Sequence, residues 1–270
     1  MYRHRCVKRH HRVYHKGHVM RGYLIYDQKD VDRSTNRNFI NWLIDEAKAQ
    51  GLDLYLVTQN SLPDKTPDFI INRSRFYELS VKYDCIHFND PEVTKVANDK
   101  WLTYQTFKGI VPMMKTWLVS SNTIYPIIIK SRYGHGGDDV HLVKEKSNFS
   151  DDYVAQEMAT PGKDLRVYIL DNQIYEAVLR RCEDNFKSNY SLGGKAELYT
   201  LSQEETEIVY KVLDRLPIFY GGIDFLFKDD KLVLNEIEDP VGAKMLYNLT
   251  DKNIVKDYIR LIADKLKVKS

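Results

Sequence analysis

LVLNEIEDP, residues 232–240, runs three apolar residues straight into Glu236, Glu238 and Asp239. Side chains two apart on a strand share a face, so Glu236 and Glu238 point the same way at the edge of an apolar sheet. Adjacent carboxylates repel, and the arrangement calls for a cation. Asp224, in GGIDFLF on the strand before, adds a third acid. Three carboxylates are hard oxygen donors of the kind that hold Mg²⁺ on phosphates, and are a poor match for zinc. The bland alternative is a solvated edge, but Ile223, Phe225, Leu232 and Leu234 around them have the character of a core. Asp224 and Glu236 serve one ion only if the hairpin register puts them on one face. A two-residue turn at Asp229 and Asp230 would oppose Asp224 to Asn235, whereas an odd-length loop centred on Asp230, or an equivalent bulge, opposes it to Glu236. The metal reading therefore predicts the odd-length loop, although two-residue hairpins are commoner.

The chain around this hairpin has 270 residues, 43% of them hydrophobic and 29% charged, enough for one large domain or two to three lobes. Apolar runs such as Ile127–Ile129 are far too short to span a bilayer, and no signal-peptide core opens the sequence, so the expected location is the cytoplasm. Cys6, Cys85 and Cys182, without CxxC spacing, read as reduced and structural. Residues 1–20 form a basic, His-rich arm, and no acid precedes Asp27. Such an arm could touch RNA, phosphate or acidic lipid, but an isolated charge run is more often a solvated tail or a surface strand. His10 and His11 lack the Cys or acidic neighbours of a metal site.

Hydrophobic periodicity predicts an α/β lobe over 21–89. Strands at 22–26, 54–57, 69–72 and 85–88 alternate with a helix over 34–49 and another through Phe76, Leu79 and Tyr83. A small β-rich lobe is expected over 90–152, opened by a helical pattern from Pro91 through Phe107. Strands near 113–119, 127–130 and 140–143 follow. Residues 153–270 read as an antiparallel α+β lobe containing the acidic hairpin, a helix opened by the capping box SQEE, and a C-terminal helix.

Two further features carry charge chemistry. Lys130 ends a buried strand before Gly134, Gly136 and Gly137, where glycine backbone can approach phosphate oxygens beside a point charge. This is no Walker A motif, and by itself the loop is as well read as a hairpin turn. Arg166, Arg180, Arg181 and Lys187 crowd the third lobe, where converging cations would neutralise a polyphosphate.

In order, DK at 99–100, IIIK at 127–130, the glycine loop, AQE at 155–157, GKDLR at 162–166, FKSN at 186–189, GGID at 221–224 and NEIE at 235–238 resemble the ATP-grasp superfamily, and among its members RimK-type glutamate ligases. The resemblance covers nearly all of the chain after about residue 20. It implies a three-lobed fold: an N-terminal parallel-sheet lobe, a small β-rich central lobe and a C-terminal antiparallel-sheet lobe, with ATP clamped between the second and third. It further implies ATP-dependent joining of a carboxylate to an amine through an acyl phosphate, with ATP and Mg²⁺ or Mn²⁺ as cofactors. On this resemblance Lys100 and Lys130 contact phosphates, the backbone of Glu157 and Met158 meets adenine, and Asp164 reaches the ribose. Lys187 and Asn189 match a phosphate-binding stretch that more often has arginine before SN. Asp224, Glu236 and Glu238 match the magnesium ligands, the third commonly being Asn, and EDPVG replaces a more neutral loop. Lys130, Lys187 and Arg180 would stabilise the moving phosphoryl group, with Asn189 donating to the developing oxyanion.

The expected partners are small-molecule or peptide carboxylates and amines, with no membrane, and with nucleic acid only through the arm. Glutamate added to a peptide, protein or small molecule fits the resemblance. A kinase that stops at phosphoryl transfer uses the same nucleotide site, and a nonenzymatic nucleotide sensor or nucleic-acid module is the third reading.

Overall fold

In this computed structural model the described residues are 19–121, 124–135, 139–146, 148–181 and 195–267. Gly136, Gly137, Cys6, Cys182, Lys187, Asn189 and almost all of the basic arm lie outside them. Contacts divide the chain into two compact units. The first comprises residues up to Ser74, Leu79–Phe88 and the stretch from Val255 on; the second comprises Arg75–Glu78 and Asn89–Ile254.

The first unit is built on a parallel sheet, as expected. Strand β1 (Arg21–Tyr26) is followed by helices α1 (Gln28–Val31) and α2 (Ser34–Ala49), then β2 (Asp53–Thr58), β3 (Phe69–Asn72) and β4 (Ile86–His87), in sheet order β2-β1-β3-β4. Helix α2 buries Ile40, Leu43 and Ala47 at helical spacing and packs on β2. Gly22 lies opposite Phe69, whose ring would sit 2.2 Å from any Cβ placed there. The helix expected through Phe76, Leu79 and Tyr83 does not form. The Asn72 side chain instead accepts from the Ser74 amide and hydroxyl, turning the chain, and Tyr83 is drawn into a cluster with Tyr23, Ile25 and Ile70.

The second unit opens with two helices where the sequence reads as one pattern. Asp90 caps α3 (Pro91–Ala97) through the Glu92 amide, and Asp99 caps α4 (Lys100–Phe107) through the amides of Trp101 and Leu102. Assigned by sequence to the central lobe, they instead bury Val93, Val96 and Phe107 in the core beneath the C-terminal sheet. The central sheet contains β5 (Thr116–Leu118), β6 (Ile127–Ser131), β7 (Val140–Val143) and β8 (Tyr153–Gln156), antiparallel in the order β5-β8-β6-β7. The sequence groups 153–157 with the strands that follow it, but β8 pairs with β5 and β6 because Ala155 packs onto Val119, Ile127 and Ile129.

The remaining strands are β9 (Thr160–Leu170), β10 (Gln173–Arg181), β11 (Lys195–Leu198), β12 (Tyr220–Lys228) and β13 (Lys231–Glu238). They form an antiparallel sheet in the order β11-β10-β9-β12-β13, and α5 (Gln203–Arg215), with the capping box of Ser202 and Glu205, joins β11 to β12. Strand parity sorts this sheet into two faces. Leu165, Val167, Ile169, Ala177, Leu179, Ile223 and Phe225 enter the core under α5. Asp164, Arg166, Arg180 and Asp224 take the other face. After β13 comes α6 (Lys244–Leu249). Helix α7 (Ile254–Lys267), expected in the C-terminal lobe, belongs from Val255 on to the first unit, where the Tyr258 hydroxyl donates to the Phe88 carbonyl at 3.1 Å.

The hairpin turn is where expectation and structure part. Asp229 and Asp230 both have positive φ (49° and 62°) and close a two-residue turn, with Lys228 opposite Lys231. Asp is among the non-glycine residues that tolerate this region. The odd-length loop is therefore absent. The register still reaches Asp224 opposite Glu236, because a bulge inserts Asn235 as an extra residue between the Phe225–Leu234 and Asp224–Glu236 pairs. Its effect is visible in burial: Leu232 and Leu234 lie in the core, but the next core residue is Ile237. Without that extra residue Glu236 would follow Leu234 into the core.

Candidate active site

A cavity of about 600 Å³ in the second unit is lined by the polar face of β9, β10, β12 and β13 together with Ile128 and Lys130 of β6. Asp224, Glu236 and Glu238 each bring a carboxylate oxygen within 4.8 Å of the others. Gly222, opposite Glu238, keeps this corner open, since a Cβ there would meet the Glu238 Cβ at 3.2 Å and a Val241 methyl at 3.0 Å.

Arginines hold the acids. Arg166 forks onto Asp224 through Nε (2.7 Å) and Nη2 (2.6 Å), and the same Nη2 donates to Glu238 at 2.8 Å. Arg180 donates to Asp224 at 2.9 Å and to Asp164. Burial alone would push the Asp224 carboxyl up, but the two guanidinium groups outweigh it and hold the group at about 2. Glu238 is different: burial lifts it, Arg166 opposes, and the neighbouring Asp224 and Glu236 add to the rise, to about 7. Positive charge lodged among these oxygens meets the electrostatic demand that a divalent cation would meet, and the donor set, all carboxylate, fits Mg²⁺ or Mn²⁺.

Two lysines also line the cavity beside the hairpin. Lys130 is buried and donates to the Asn235 side chain at 2.8 Å, so the residue that shifts the hairpin register also holds the lysine. Burial lowers the Lys130 ammonium to about 8, with Glu236 opposing and Lys100 assisting. Lys100, first residue of α4, donates to the Gly134 carbonyl and lies 3.6 Å from Glu236. Asp99 forks onto Arg132 at 2.8 and 2.7 Å, tying α4 to the chain just after β6.

Of the expected residues within the described stretches, all but Arg181 line this cavity. Glu157 and Met158 line it directly after β8, and the Glu157 amide donates to the Lys115 carbonyl at 3.0 Å. Asp164 lines it too, but under its ion pair with Arg180. Arg181 turns away to Glu197 at 2.9 Å. Asp239 does not line the cavity: it is buried and accepts from Thr94 (2.6 Å) and Asn89 (3.2 Å), fastening the end of β13 to α3. Arg75 lines the cavity without having been foreseen. Its position falls within the expected lobe 21–89, and nothing local in the sequence signals its destination.

A model of the RimK-like ATP-grasp domain matches residues 112–262. The chain belongs to the RimK-like ATP-grasp family. The Mycoplasma genitalium protein MG011 is 32% identical over 267 residues, covering 90% of this chain and 93% of that one. Human N-acetylaspartylglutamate synthase A is 29% identical over 206 residues, which span 66% of this chain and 53% of the synthase. The structure of D-cycloserine synthetase DcsG shares the fold with a TM-score of 0.68 at 12% identity, covering 91% of this chain and 99% of that one. RimK-like ATP-grasp relatives include carboxylate–amine ligases, and enzymes of the ATP-grasp family generally use ATP and Mg²⁺. Among the described residues no helix is long and apolar enough to cross a membrane.

Proposed function

We propose that this RimK-like protein is an ATP-dependent carboxylate–amine ligase that activates a substrate carboxylate as an acyl phosphate and passes it to an amine, releasing ADP and phosphate. The observation that carries the reading is the meeting of Asp224, Glu236 and Glu238 with Lys100 and Lys130 on one cavity. When bound, Mg²⁺ or Mn²⁺ on the three carboxylates would neutralise phosphate charge. Lys130, buried beside a neutral amide, supplies a charge that no described carboxylate offsets through a direct ion pair, and so is available to phosphate oxygens. Arg166 and Arg180 fix the orientation of Asp224 and Glu238 through forked hydrogen bonds. The Glu157 carbonyl and Met158 amide suit the polar edge of adenine, with Asp164 farther along the same wall. Lys187 and Asn189 keep the roles that the family resemblance gives them. Catalysis on this reading is charge neutralisation and positioning.

The test is ATP turnover by the full chain with Mg²⁺ and a panel of amino acids, carboxylates and peptides, read as phosphate release and product mass. A ligase releases phosphate only with acid and amine together and yields a product joined with loss of water. A phosphorylated acceptor without an amine requirement would make it a kinase, and nucleotide binding without turnover a sensor.

A further inference from the structure

The cations around the cavity are not equally committed. Arg166 and Arg180 are tied to Asp164, Asp224 and Glu238, Lys163 pairs with Asp230 at 2.6 Å, and Lys100 has Glu236 and the Gly134 carbonyl. Lys130 stands at the carboxylate end with Asn235. Arg75 and Lys244 also line the cavity, and among the described residues neither makes a hydrogen bond or ion pair. Arg75 is half-buried. A guanidinium cannot shed its charge at working pH, and its planar fork matches an oxyanion in two-point fashion. Its segment is not loose: Arg75–Glu78 groups with the second unit, where Lys95 of α3 lies 5.7 Å over the Tyr77 ring.

The proposed nucleotide and metal roles use the carboxylates, Lys100 and Lys130, and they leave these two cations over. We propose that Arg75, assisted by Lys244, is the specificity-determining residue for substrate, recognising an oxyanion other than the groups being joined. The substrate on this view carries an additional carboxylate or phosphate. The inference rests on the ligase reading and assigns to it a recognition point that the family motifs do not include. Arg75 lies outside the matched residues 112–262.

The test uses the full chain saturated with Mg·ADP and calorimetric titration of matched pairs: L-glutamate against L-glutamine and L-aspartate against L-asparagine for a carboxylate, O-phospho-L-serine against L-serine for a phosphate. The more anionic member of at least one pair should bind about tenfold or more tightly than its partner, the scale of a charge-assisted hydrogen bond. The pair that responds identifies the oxyanion. Arg75→Ala should erase that preference by weakening the anionic ligand about 10- to 100-fold, with Arg75→Lys restoring part of it and Lys244→Ala having a smaller effect. Affinity for Mg·ADP should stay within about twofold throughout, which a general structural defect would not allow. Equal binding within every pair by the wild type, or a preference that survives Arg75→Ala, overturns the proposal. So does loss of Mg·ADP affinity in step with the anion, which would make Arg75 a nucleotide contact. Failure of the wild type to bind Mg·ADP at all overturns the ligase reading itself, and the inference with it.

Discussion

Replacing Lys130 by methionine should make the protein more stable and inactive at once. The side chain is 7% exposed and its ammonium is lowered from 10.5 to about 8, chiefly by burial. At 1.36 kcal/mol per unit, the fold disfavours the charged lysine by about 3 kcal/mol at pH 7. Methionine keeps the length and removes that cost, while losing the hydrogen bond to Asn235 returns about 1 kcal/mol. The net expectation is a nucleotide-free variant about 2 kcal/mol more stable than wild type at pH 7. The sign can be checked by titration. Because the folded pKa lies below the unfolded one, the unfolded chain binds more protons between about pH 8 and 10.5, and wild-type stability attributable to this group rises across that window. The methionine advantage should therefore be full below pH 8 and shrink steadily toward pH 10. Denaturant unfolding without nucleotide, at pH 7, 9 and 10, measures this, and ATP turnover in parallel should fall about 100-fold or more. A variant less stable than wild type at pH 7, or an advantage independent of pH, would refute the reasoning.

Glu236→Gln removes an anionic oxygen at nearly constant size, so Mg²⁺-dependent turnover should drop by about 100-fold or more with the unfolding midpoint little changed; near-normal activity at saturating Mg²⁺ would exclude Glu236 as a ligand. Since Glu238 is raised to about 7 and a ligand must be deprotonated, Mg²⁺ affinity should be nearly level above pH 7 and weaken below it by up to about tenfold per pH unit, measurable by calorimetric Mg²⁺ titration at pH 6, 7 and 8. Asp239→Ala leaves the donors of Thr94 and Asn89 without their carboxylate, and chemical denaturation should show a loss of about 2–4 kcal/mol; a loss under about 1 kcal/mol would mean that β13 is held elsewhere.

The acidic hairpin was legible because strand periodicity is local: Ile223, Phe225, Leu232 and Leu234 declare the core face, and Asp224, Glu236 and Glu238 fall where the other face must be. The requirement that Asp224 oppose Glu236 follows from the metal reading and is met. The device that meets it was not legible, since a turn of positive-φ aspartates plus a bulge at Asn235 gives the same register at the carboxylates as an odd-length loop. The bulge residue Asn235 also accepts a hydrogen bond from the Nζ of Lys130, a residue 105 positions away.

Local pattern likewise determined the parallel sheet of the first unit, the capping box of α5 and the strand that delivers Lys130, because each depends on neighbours within a turn or a strand. Tertiary structure decided the rest. Asp99 ended one helical pattern and began another by capping α4 while forking onto Arg132, and β8 joined the central sheet through the contacts of Ala155. Asp239 follows the site glutamates directly in the sequence, yet hydrogen bonds from Thr94 and Asn89 make it a structural clamp. Arg75 belongs to no motif, yet it reaches the cavity and finds no anion among the described residues. Periodicity fixes which face a side chain takes, but the partner of a charge is set by segments far away in sequence. A carboxylate therefore becomes ligand or clamp, and an arginine brace or recognition point, only when those segments meet.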